Sequence, residues 1–124
     1  IKLFTSTSIR DGGKMSVTQA QVDAVCQEAR VQGLRTLVHA HDTESIIAAV
    51  KAGCTQIEHG VYADAAAIKA MAEIAGAPVN DEEAARIANS IGPGFDGFAP
   101  VSGRLPFDLE PASYVAVQLS GATK

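Results

Sequence analysis

Tryptophan is missing from this sequence, and four Phe and two Tyr are its only large aromatic side chains. No apolar run nears the ~20 residues that a helix needs to cross a bilayer, and no signal-peptide pattern is seen at its start. A membrane-spanning protein is therefore not expected. Basic residues are also scarce. Ten Lys and Arg stand against fourteen Asp and Glu, for a formal charge of −4. No Lys/Arg stripe is present to displace the counterions of nucleic acid, so nucleic acid is not an expected partner. Cysteine is nearly absent. Cys26 and Cys54 lie far from any CxxC spacing and read as small buried hydrophobes in a reducing cytosol. A cytoplasmic protein is expected.

What is present is enough for one modest core. The length of 124 residues suits a single domain, and an apolar share of 47% argues against wholesale disorder. The chain opens on the apolar stretch IKLFTS without an initiator methionine. An upstream segment, missing or processed away, is expected from that.

Residues 1–76 alternate between two periods. IKLFTS is a short strand-like run ending in the polar, glycine-containing TSIRDGGKMS. SVTQAQVDAVCQEARVQG reads as a helix: Thr18 with Gln21 makes a capping box, Val22, Val25, Cys26 and Ala29 form an apolar stripe, and Gly33 stops it. RTLVHAH is a second strand. DTESIIAAVKAG is a second helix, capped by Asp42 or Thr43, with Ile46, Ile47 and Val50 inward and Gly53 at its end. CTQIEHG is a third strand, and DAAAIKAMAEIAG a third helix with Asp64 as cap and Ile68, Met71 and Ala72 buried. Such repeats call for an α/β fold with parallel strands and crossover helices. The compact units match part of a TIM-type (β/α)8 barrel, although three of them cannot close one.

From Ala77 the rhythm stops. Residues 77–124 hold all five prolines and no histidine, and read as a mostly helical and irregular segment appended near residues 74–78. Asp81 to Ile91 reads as a helix capped by Asn80 with Glu83. GPGFDGFAPVSGRLPFD reads as loop, and EPASYVAVQLS as a last short helix with Pro111 in its first turn.

All three histidines fall in LVHAHDTESIIAAVKAGCTQIEHG, residues 37–60. In parallel α/β proteins the C-terminal ends of strands present reactive groups to substrate. His39 and His41 end the second strand, and His59 ends the third. Alternation points residues 39 and 41 to one side. Lys2 lies in the first strand, so three strands bring Lys2, His39 and His59 toward one mouth. Imidazole suits zinc, iron or manganese, and two or three ligands with an open position describe a catalytic metal site. A single histidine at a strand end is more often a hydrogen-bonded structural residue, and His41 has a solvent-side alternative. If it has a direct role, that role is near substrate. Asp42 and Asp64 read as helix caps, and Glu58 as support for a histidine.

IKLFTS followed by GLRTLVHAHDTESIIAAVKAGCTQIEHGVYADAAAIKAMAE resembles the amidohydrolase superfamily, nearest its imidazolonepropionase-like and Xaa-Pro dipeptidase-like branch. The resemblance covers residues 1–73 and rests on the VHAH…AGC…IEHG spacing. It implies a metal-dependent hydrolase acting on an amide or cyclic amide C–N bond of a small molecule. It further implies that Lys2 is the carboxylated metal-bridging lysine and that His39 and His59 are ligands of the same ion. Zinc is the expected ion. The family's first-strand HxH pair and eighth-strand aspartate have no counterpart, so the chain is expected to be incomplete by itself. The tail, chiefly LPFDLEP, is similar to the small helical accessory subunits of amidase-signature hydrolases. That likeness implies the alternative: a non-catalytic accessory or oligomerising protein that grips a larger hydrolase partner, or a second copy, through Phe95, Phe98, Phe107 and Tyr114. A junction of two unrelated segments would also explain the break near Ala77.

Overall fold

A computed structural model describes residues 1–102 of the chain, apart from the side chains at 95, 98, 99, 101 and 102. The expected anchors Phe107 and Tyr114 and the expected helix at Pro111 lie outside the described residues, as do the side chains of Phe95 and Phe98.

Three strands, β1 (Lys2–Phe4), β2 (Leu37–Asp42) and β3 (Gln56–Tyr62), form one parallel sheet in the order β1-β2-β3. Helix α1 (Gln19–Val31) joins the first pair, α2 (Thr43–Lys51) the second, and α3 (Ala65–Ile74) follows β3. Helix α4 (Asp81–Ser102) ends the described chain. The α/β class and the strand-helix alternation are thus present. Among the described residues no helix is long and apolar enough to cross a membrane.

Side-chain chemistry sets where each helix begins. Thr18 and Gln21 form a reciprocal capping box on α1. Asp42 caps α2 by accepting from Ser45 N–H, and Asp64 caps α3 by accepting from Ala67 N–H. Asn80 and Glu83 exchange the same pair of bonds at the head of α4. Each such cap contributes about 1 kcal/mol.

The core lies on one face of the sheet. Val38, Ala40, Ile46, Ala49, Ala67, Ile68 and Ala84 are buried together, with Leu3 and Ile57 packed against them. Burying Ile46 fully is worth ~1.5 to 3 kcal/mol. Helix α4 joins this core through Ala84, Ile87, Ala88 and Ile91, an i, i+3, i+4, i+7 stripe of helical period. The opposite face carries Lys2, Phe4, Leu37, His39, Gln56 and Glu58 and, among the described residues, has no helix on it.

Two expectations are corrected. Cys26 and Cys54 are not free hydrophobes but a disulfide, joining α1 to the segment before β3 across a Cα–Cα distance of 5.2 Å. Helix α1 packs on α2 through Val22, Cys26, Ala48 and Ala52, which lays Cys26 over the turn that follows α2. The second correction concerns GPGFDGFAPVS, read as loop; the helix runs through it to Ser102 despite Pro93 and Pro100. Each proline removes one i→i−4 bond, to Asn89 and Asp96 respectively. Both prolines and both of those residues are exposed, so water can take the place of the missing donor.

Candidate functional site

His39 and His41 are two residues apart on β2, so alternation places both on the bare face while Ala40 turns into the core. His39 lies level with Phe4 on β1 and Glu58 on β3. Strict alternation along β3 would send His59 to the helix side, beside Ile57 and Val61. Two irregularities prevent this. The pairing steps two residues on β2 (Ala40 to Asp42) against three on β3 (His59 to Tyr62). His59 also has φ +80°, the only positive value at a non-glycine among the described residues. A bulge of this kind re-aims a side chain, and histidine tolerates the left-handed region better than most residues.

The result is a cluster of three imidazoles. Ring centroids lie 4.4 Å apart for His39–His41, 4.8 Å for His39–His59 and 5.0 Å for His41–His59. His41 is the buried member, 3% exposed. Its backbone N–H donates to Ser6 Oγ, and its ring Nδ1 has no hydrogen-bond partner among the described residues. Burial, and then the neighbouring His39 and His59, push its pKa down to about 4, against a smaller upward pull from Asp42. The His39 ring contacts the Thr7 carbonyl through Nε2 at 3.4 Å. A carbonyl only accepts, so this contact needs Nε2 protonated and leaves Nδ1 as the lone-pair nitrogen of a neutral ring.

A roof of residues 5–16 closes over His41. Thr5 donates to the His39 carbonyl through both its N–H and its Oγ1, Ser6 bridges to Met15, and Met15 N–H donates to Asp42 Oδ2 at 3.2 Å. Gly13 is buried at the contact. A Cβ there would stand 3.0 Å from both His41 Cβ and the Tyr62 ring, at φ +62°. Gly13, Ser6 and Thr5 were not among the residues singled out from the sequence; the Gly12-Gly13 pair is the one signal that could have pointed to this loop.

Lys2 reaches the bare face, but its ammonium pairs with the Glu58 carboxylate. This bond is the main reason that the Glu58 carboxyl sits below its ordinary range, with His59 and His39 adding to it. Glu58, read as support for a histidine, is therefore engaged by Lys2. The Phe4 ring neighbours both groups, 5.5 Å from Lys2 Nζ and 5.0 Å from the His39 ring. A cleft of about 370 Å³ opens at the end of β3, lined by Tyr62, Asp64, Ala88, Asn89, Gly92 and Asp96.

The three rings meet, but as placed no three His, Cys, Asp or Glu side chains among the described residues stand ready to hold a metal ion together. The donor chemistry nevertheless fits one. Imidazole is a favoured ligand of zinc and its neighbours, and a buried ring nitrogen without a partner is the kind of atom an ion satisfies. His59 is exposed and has room for its ring to turn. No protein-family model matches the chain, and no curated protein matches it either.

Proposed function

We propose that the chain is the metal-binding part of a metal-dependent hydrolase of the amidohydrolase type, built as part of a (β/α)8 barrel. Its substrate is a small amide or cyclic amide, cleaved at the C–N bond. One observation carries this reading: three imidazoles gather at the C-terminal ends of two adjacent parallel strands, where such folds place their chemistry. His39 and His59 are the residues that would hold the ion. A bound divalent ion, zinc by its fit to imidazole, supplies a hydroxide near neutral pH and polarises the scissile carbonyl.

The chain's own residues supply the rest of what is present. The Thr7 carbonyl orients the His39 ring, and the roof keeps water from His41. Glu58, paired with Lys2, is an acidic group close enough on the bare face to interact with His39 and His59. The remaining walls belong to a further segment or chain, since parallel sheets carry cover on both faces. Elemental analysis of chain purified at neutral pH with bicarbonate, beside a His39→Ala/His59→Ala control, tests the reading. Near one divalent ion per chain, lost in the control, supports it; background metal in both overturns it.

The same bare face, with Phe4 58% exposed, favours a second reading in which the chain is a non-catalytic member of an assembly. Light scattering that finds only monomer would count against that reading. A cytoplasmic home, expected from the sequence, is opposed by the Cys26–Cys54 disulfide, because the reducing cytosol keeps such pairs as thiols.

A further inference from the structure

Resting on the metal reading above, we propose that the third protein ligand is His41 and not Lys2, making an all-imidazole centre of His39, His41 and His59. Four observations converge on it. His41 Nδ1 is buried with no partner among the described residues, and a buried polar atom left so is costly unless something occupies it. His39, with Nε2 directed at the Thr7 carbonyl, keeps its Nδ1 lone pair for an ion, the arrangement in which an outer partner sets the metallated nitrogen. His59 departs from strand alternation through a left-handed backbone and a bulge, and what this achieves is to bring its ring to the other two. Lys2, by contrast, spends its Nζ on the Glu58 carboxylate, the same atom that a metal or carbon dioxide would need.

The spacing also fits. A tetrahedral ion with metal–nitrogen bonds of ~2.0 to 2.1 Å sets the centroids of three coordinating rings ~5 Å apart. The observed separations are 4.4, 4.8 and 5.0 Å. The nitrogens do not yet converge, so loading requires the rings to turn about their side-chain bonds, most of all the exposed His59.

X-ray absorption at the zinc edge of the wild-type chain loaded with Zn²⁺ counts imidazoles without any substitution. Zn²⁺ titrations of the Lys2→Gln and His41→Gln variants run beside it, with circular dichroism to check folding. Three imidazoles, full binding by Lys2→Gln and at least ~10-fold weaker binding by folded His41→Gln, the usual scale for altering a metal's surroundings, support the proposal. Two imidazoles with an added oxygen donor, and binding lost in Lys2→Gln, overturn it while leaving the metal reading intact. A wild-type chain that takes up no Zn²⁺ overturns both. The absorption count decides if His41→Gln does not fold.

Discussion

The two faces of the sheet are made from the same three strands and obey different rules. The helix side is small and apolar: Val38, Ala40 and Ile46 are fully buried, and Leu3 and Ile57 pack against them. The bare side carries Lys2, Phe4, His39 and Glu58, with His41 and His59 brought beside them. Groups on the first face are explained by burial. On the second, a cluster of three imidazoles, an orphaned ring nitrogen and a left-handed histidine gain nothing for the fold that apolar residues would not provide better. The contrast teaches that apolar and polar groups are separated here by a single residue step along each strand, and that β3 breaks its alternation to place one more histidine on the polar side.

The sharpest way to break this comparison is to truncate one residue on each face. Ile46→Ala removes a fully buried side chain and should cost about 2 to 5 kcal/mol in urea unfolding. Phe4→Ala, more than half exposed, should stay within about 0.5 kcal/mol. Comparable losses at the two positions would mean that both faces are core. Next comes the tie between α1 and the lead-in to β3. A disulfide spanning 28 residues restricts the unfolded chain enough that reduction should lower stability by about 3 to 4 kcal/mol. Unfolding curves with and without a phosphine reductant check it.

A slightly smaller effect belongs to His41 in the metal-free chain. Its folded pKa of about 4 lies below its ordinary 6.5, so above pH 6.5 both states are neutral and the full stability is present. As pH falls toward 4 the unfolded state takes up the proton first, and stability declines by up to the order of 3 kcal/mol. His41→Gln should flatten that part of the stability-pH profile. An unchanged slope would show that the ring is not held neutral by its burial and the neighbouring histidines.

Much of the fold was legible because it rests on local chemistry. Thr18 with Gln21, Asp42, Asp64, and Asn80 with Glu83 mark the starts of four helices, and the two hydrophobic periods separate strands from helices. The meeting of His39 and His59 was legible from strand ends alone. Other features depend on groups far apart in sequence. The Cys26–Cys54 bond needs α1 laid across the end of α2. The partnership of Lys2 with Glu58 needs β1 and β3 at the flanks of one sheet. The turn of His59 into the cluster needs a bulge that no residue type announces, although Gly60 follows it at φ +61°. The burial of His41 depends on a roof whose Gly13 fits only because it lacks a Cβ. Helix α4 passing through Pro93 ran against propensity; the buried stripe from Ala84 to Ile91 anchors its first half.

The central claim is that the chemical face gathers its histidines around a metal. The most direct test is the visible spectrum of the chain loaded with Co²⁺ at neutral pH. The account predicts the intense bands of a four-coordinate ion with nitrogen donors, absent after His39→Ala/His59→Ala. The pale spectrum of the hydrated ion in the wild-type chain would contradict it.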